Sequence, residues 1–108
     1  MSTEAVLVHH LQAFGEGVDA ILSDYTEESV LITPNGVVRG IDELRTFFDG
    51  FIKNSPPELF EAFKFLRQDI EGEVAYIVWK ADPYIKMATD TFVIRDGKIL
   101  VQTFAALS

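Results

Sequence analysis

The sequence contains no cysteine. That excludes disulfides, thiolate metal sites, iron–sulfur clusters and cysteine nucleophiles together. Basic residues are scarce: nine Lys and Arg stand against seventeen Asp and Glu, a formal charge of −8. A chain this acidic repels phosphate backbones and anionic lipid, so neither nucleic acid nor a membrane surface is an expected partner. Long apolar runs are missing too. Nothing approaches the roughly 20 apolar residues of a membrane-spanning helix. The start, Met1-Ser2-Thr3-Glu4, has no basic segment, and the apolar run Ala5 to Val8 is too short for a secretory signal core. The expectation is a cytoplasmic protein free in solution.

What is present is an ordinary globular composition. Of 108 residues, 48% are hydrophobic and 12% aromatic, enough apolar surface for one core. No linker, repeat or low-complexity tract divides the chain, so residues 1–108 are read as a single domain. The acid is uneven: residues 1–30 hold six acidic side chains and no Lys or Arg. Ser55-Pro56-Pro57 is the only strong punctuation near the middle, and it joins two elements rather than two domains.

The first half reads mostly as helix. Leu7, Leu11, Phe14 and Val18 recur at helical spacing behind Thr3 as N-cap, and Gly15 and Gly17 break the segment. A short helix with Val18, Ile21, Leu22 and Tyr25 on one face follows. Ser29 to Thr33 and Val37 to Arg39 are β-branched strands around the turn Pro34-Asn35-Gly36. Ile41, Leu44, Phe47, Phe48 and Phe51 then mark an amphipathic helix.

The second half reads as an antiparallel meander. Phe60 to Ile70 is taken as a strand because its neighbours are strands. In Val74 to Ala81, Lys80 marks the wetter face, so Trp79 points inward. Ile85 to Ile94 and Lys98 to Ala106 form a hairpin around Asp96-Gly97. Helices segregated to one face of a strongly curved antiparallel sheet make an α+β cone, with a pocket wherever its interior is not filled.

This order, with three local strings, resembles the nuclear transport factor 2-like superfamily, in particular its ketosteroid isomerase and SnoaL-like members. The first string is Asp19-Ala20-Ile21-Leu22, Tyr25 and Glu27-Glu28-Ser29-Val30. The second is Gly36-Val37-Val38-Arg39-Gly40 with Leu44 and Phe48. The third is Ala88 to Ile94 followed by Asp96-Gly97-Lys98-Ile99. Together they cover nearly the whole chain. The resemblance implies a cone-shaped fold, but this fold hosts enzymes, binding proteins and interaction modules alike.

Carried over position by position, the resemblance places Asp90 on the aspartic acid that, kept neutral, donates to an oxyanion in ketosteroid isomerases. The general-base position falls on Thr33, whose hydroxyl is no carboxylate base, though it can hydrogen-bond a ligand. The tyrosine position falls on His9 without a gap and on His10 with one. Helical phase favours His10, about 60° from the Leu7–Leu11–Phe14 face, and directs His9 away. From the residues alone, Asp90 fits either an apolar pocket that raises its pKa or an outward pairing with Lys80 or Arg95. His10 fits either a ligand contact or a core histidine satisfied by a carbonyl. Trp79, Tyr25, Phe48 and Met87 are pocket walls or plain core. Asp24, off the apolar face of its helix, is read as solvated.

The sequence thus points to a small-molecule pocket protein. Asp90 and His10 are the candidate catalytic pair, with Trp79, Tyr25, Thr33, Phe48 and Met87 as candidate ligand contacts. Acid–base isomerisation, cyclisation or dehydration of an apolar carbonyl or hydroxyl compound is one reading, and ligand binding without turnover is the other. No cofactor or metal is expected. Gly15-Glu16-Gly17 lacks the rest of a dinucleotide loop, and adjacent His9 and His10 diverge by ~100° on a helix. Apolar residues in both alternation sets of the strands predict a homodimer through the sheet face.

Overall fold

The computed structural model describes residues 2–108. Two helices open the chain, α1 (Thr3–Ala13) and α2 (Val18–Leu22). Ser2, not Thr3, caps α1: its hydroxyl accepts from the Ala5 amide at 3.0 Å, while the Thr3 hydroxyl donates to the Gly72 carbonyl at 2.6 Å. The chain then runs β1 (Val30–Thr33), β2 (Gly36–Arg39), α3 (Gly40–Asn54), α4 (Pro57–Glu61), β3 (Phe63–Glu71), β4 (Val74–Ala81), β5 (Ile85–Arg95) and β6 (Lys98–Leu107). Gly40 turns β2 into α3 at φ +76°, where a Cβ would sit 3.3 Å from the Glu27 carbonyl oxygen. Glycine is therefore required there for both conformation and space.

Two sequence expectations are corrected. Phe60 and Glu61, read as the start of a strand, instead close the helical turn Pro57–Glu61, which opens with Pro57 at the first helical position, where its missing amide costs nothing. The sheet is mixed rather than purely antiparallel: its order is β2-β1-β6-β5-β4-β3, and β1 runs parallel to β6. All other neighbouring strands are antiparallel. Asp96 and Gly97 both take positive φ at the β5–β6 turn, which is the type of turn their sequence signals.

Alternation separates the two faces of the sheet. Leu31, Gln102, Phe92 and Ala75 lie side by side across β1, β6, β5 and β4, and all four are buried. Trp79, Ile77 and Asp90 share that inner face. The helices close over it: Val6, Leu7 and His10 from α1, Ile21 and Leu22 from α2, and Leu44 and Phe48 from α3 complete the core. No helix among the described residues is long and apolar enough to cross a membrane.

Candidate functional site

Between the curved sheet and the helices lies a cavity of about 420 Å³, within the usual range for a small-molecule site. Phenylalanines supply much of its wall: Phe14 beside α1, Phe47, Phe48 and Phe51 from α3, Phe60 from α4, and Phe63, Phe92 and Phe104 from the strands. Its polar lining is sparse and mostly deep, namely His10, Trp79, Asp90 and Gln102, with exposed Gln12 at the outer end.

Asp90 lies at the inner end of a directed hydrogen-bond chain. Trp79 Nε1 donates to its Oδ1 at 2.8 Å, and Gln102 Nε2 donates to its Oδ2 at 2.9 Å. Gln102 Oε1 in turn accepts from the Tyr25 hydroxyl. Each amide and hydroxyl thus presents a donor towards the carboxylate, an arrangement that suits its ionised form. Burial acts the other way and dominates, so the Asp90 pKa is raised to about 6. The pKa is raised by burial as an apolar pocket implies, although less far than the fully neutral acid of the resemblance. Two N–H donors hold the pKa below neutrality and leave a poorly solvated carboxylate. The same burial raises the Tyr25 phenol well above its ordinary value, helped by the nearby Asp90 and Asp24 charges.

His10 faces the cavity from α1, as helical phase predicts, and its imidazole is ringed by Phe14, Tyr25, Phe48 and Phe92 at 5.2–6.5 Å. No carbonyl satisfies it: Nδ1 is buried with no hydrogen-bond partner. Nδ1 is closed off from the cavity space, so its missing hydrogen bond is a cost of burial that the fold carries. Burial, with a smaller push from His9, depresses the pKa of His10 to about 3. The ring is therefore neutral at physiological pH, with one donor and one acceptor nitrogen.

The other expected contacts divide. Trp79 and Phe48 line the cavity. Tyr25 stands one bond behind it, through Gln102. Thr33 does not reach it: its hydroxyl is spent in its own turn, donating to the Gly36 carbonyl and accepting from the Asn35 amide. Met87 is 47% exposed on the opposite face of the sheet, because it lies three residues from Asp90, an odd step along the strand. Asp24 is buried rather than solvated, and His9 Nδ1 lies 2.7 Å from its carboxylate. Helical phase failed for Asp24 because it lies beyond the end of α2. Gln102 was missed, although an amide in phase with Leu100 and Phe104 on a strand was a readable signal. Among the described residues no three His, Asp or Glu side chains converge to hold a metal ion.

No family model and no curated protein matches the sequence. Solved structures do. A SnoaL-like protein of unknown function from Burkholderia thailandensis E264 superposes with a TM-score of 0.81 at 15% identity, over 98% of this chain and 95% of that one. An NTF2-like protein of unknown function from Mesorhizobium loti gives 0.76 at 17% identity, over 98% and 91% of the two chains. A de novo designed protein with a curved β-sheet gives 0.75 at 14% identity, over 97% of this chain and 84% of that one. At such identities the likeness is one of architecture, and the designed protein is a reminder that the architecture does not carry an activity with it. The chain has the nuclear transport factor 2-like fold.

Proposed function

We propose that the protein takes a small, mostly apolar carbonyl compound into the cone and moves a proton on it, with Asp90 as the base. The observation that carries this is a carboxylate with a pKa of about 6 at the polar end of a cavity walled by aromatic rings. A base poised one unit below neutrality is ionised yet still basic. Asp90 would take a proton from the carbon beside the carbonyl. The C–H electrons would pass into a new C=C bond and the carbonyl electrons onto oxygen. His10 would donate a hydrogen bond to that oxygen through its single N–H. Return of the proton to a different carbon is isomerisation. Attack of the enolate carbon on a second carbonyl within the same molecule, with the proton returned to the new alkoxide, is cyclisation. One structural neighbour, from Sinorhizobium meliloti, is provisionally described as a polyketide cyclase, at 15% identity.

The test is proton exchange on 2-tetralone in D2O, followed by NMR. The wild type should accelerate loss of the protons beside the carbonyl, and Asp90→Asn should lose roughly 100-fold or more of that rate. Binding without exchange, read from quenching of Trp79, would make the protein a carrier instead.

A second reading concerns assembly, and a specific surface favours it. Val30, Val101, Val93 and Val74 form one row across the outer face of the sheet, beside exposed Ile32 and Val37, and exposed Met87 and Leu107 lie further along β5 and β6. The valine row itself is uncharged, with Arg39 following it at the β2 end and Glu71 at the β3 end. The proposed partner there is a second copy. Light scattering at micromolar concentration should give twice 12.1 kDa, and a monomeric mass would count against it.

A further inference from the structure

Three phenylalanines from three separate elements meet at the outer end of the cavity. Phe14 caps the end of α1, Phe51 lies in α3 and Phe60 in α4. Their ring centroids are 6.2 Å (Phe14–Phe51), 6.0 Å (Phe51–Phe60) and 6.5 Å (Phe14–Phe60) apart. Each is half-buried, each lines the cavity, and the neighbouring lining residues Gln12 and Gly15 are exposed. The triangle thus stands between the solvent and the polar end, where Trp79 and Asp90 lie.

The segment carrying Phe60 is lightly held. The α4 helix is five residues long, and Leu59 is its only fully buried side chain. The hydrogen bonds at its two ends are local, from the Leu59 amide to the Pro56 carbonyl and from the Ala62 amide to the Glu58 carbonyl. Ser55 and Pro56 before it are extended. A short element held by mostly local bonds opens at lower free-energy cost than the sheet beneath it.

We propose that Phe14, Phe51 and Phe60 form an aromatic gate, hinged at Ser55–Pro57, through which the ligand of the cavity enters polar end first. The proposal rests on the pocket reading above and adds its specificity. Rings that part edgewise admit a flat ligand more readily than a bulky branched one, and they close behind it by stacking on its apolar end. A gate differs from an ordinary wall in its kinetics. Truncating a wall side chain speeds dissociation alone, whereas truncating a gate side chain speeds both entry and exit.

The experiment is stopped-flow binding of 2-naphthol, a planar probe with one hydroxyl to offer Asp90, read through Trp79 fluorescence. Phe60→Ala should raise the association and dissociation rates together, each about tenfold, the rate equivalent of one aromatic pair interaction. Phe60→Leu, which keeps the site apolar, should move both in the same direction and decides the matter if the alanine variant fails to fold. Leu66→Ala, exposed on β3 and outside the cavity lining, should change neither. An unchanged association rate with faster dissociation would reduce Phe60 to a wall and overturn the gate. Asp90→Asn separates the two ideas: it should weaken affinity and leave the association rate as it was. Undiminished affinity in that variant would sink the pocket reading while the gate kinetics stand. A folded wild type that binds no 2-naphthol at millimolar concentration would overturn both.

Discussion

Trp79 Nε1 donates to Asp90 Oδ1 at 2.8 Å, which ties the only tryptophan of the chain to the carboxylate that lines the cavity. The pair shares the inner face of β4 and β5, where Trp79 also stacks on Phe104 with centroids 6.3 Å apart. Trp79 fluorescence should therefore report the ionisation of Asp90, with a midpoint near pH 6. Asp90→Asn should abolish that titration. A midpoint near the ordinary carboxylate value of about 4 would show that the site is wet.

Tyr25 bears on the same carboxylate from one bond away. Its hydroxyl holds Gln102 with the amide nitrogen turned towards Asp90. Tyr25→Phe frees that amide to flip and leaves a buried oxygen without a donor. The Asp90 midpoint should move above pH 6, and stability should fall by about 1–3 kcal/mol, measured by urea denaturation.

The pH dependence of stability follows from two opposed groups. Asp90 has a folded pKa raised from 3.8 to about 6, so its contribution is fully present below pH 3.8 and is lost as pH rises through 6. That is about 3 kcal/mol. His10 has a folded pKa lowered from 6.5 to about 3, so its contribution is present above pH 6.5 and is lost as pH falls towards 3. That is about 5 kcal/mol. Between pH 6 and 4 the two slopes are equal and opposite, and the contribution of this pair should be flat. His10→Phe should expose the Asp90 slope alone, with stability rising as pH falls from 6 to 4. A His10→Phe curve that stays flat in that window would refute the assignment.

His9 should titrate above its ordinary 6.5, because the Asp24 carboxylate accepts its hydrogen bond and favours the imidazolium. Glu16 adds to the shift, while burial and Lys98 oppose it. This clasp joins α1 to the turn after α2. Its contribution is present below pH 6.5 and fades as pH rises through the folded value. Proton NMR should show the His9 midpoint return towards 6.5 in Asp24→Asn.

On the outer face, Met87 lies opposite Leu107 in the β5–β6 ladder, and both are about half exposed or more. Replacing both with lysine should leave the fold intact, since neither side chain touches the cavity. Light scattering should then give a monomer if the wild type is a dimer.

Much of the fold was legible because it rests on local rules. The alternation through Trp79 and Lys80, the Asp96-Gly97 turn and the helical run Ile41 to Phe51 each follow from spacing and backbone preference. The pairing of β1 with β6 was not legible. The two strands are some seventy residues apart, and a short β-branched run carries no mark of which edge it joins. Of the site, His10 was readable from helical phase, while Asp90 was singled out by the resemblance, its rarity in mid-strand leaving both an inward and an outward reading open.

The sequence alone determined composition, charge, element order and the inward phase of Trp79 and His10, since each depends on near neighbours and a fixed period; it left Asp90 open between an inward and an outward side. Only the tertiary structure decided what those side chains meet. It brought Tyr25 and Gln102, 77 residues apart, into the chain that ends on Asp90. It buried Asp24, turned Thr33 and Met87 away from the cavity, and left His10 without a partner. The physical reason is that desolvation and hydrogen bonding are set by every atom within a few ångströms, and those atoms come from distant parts of the chain.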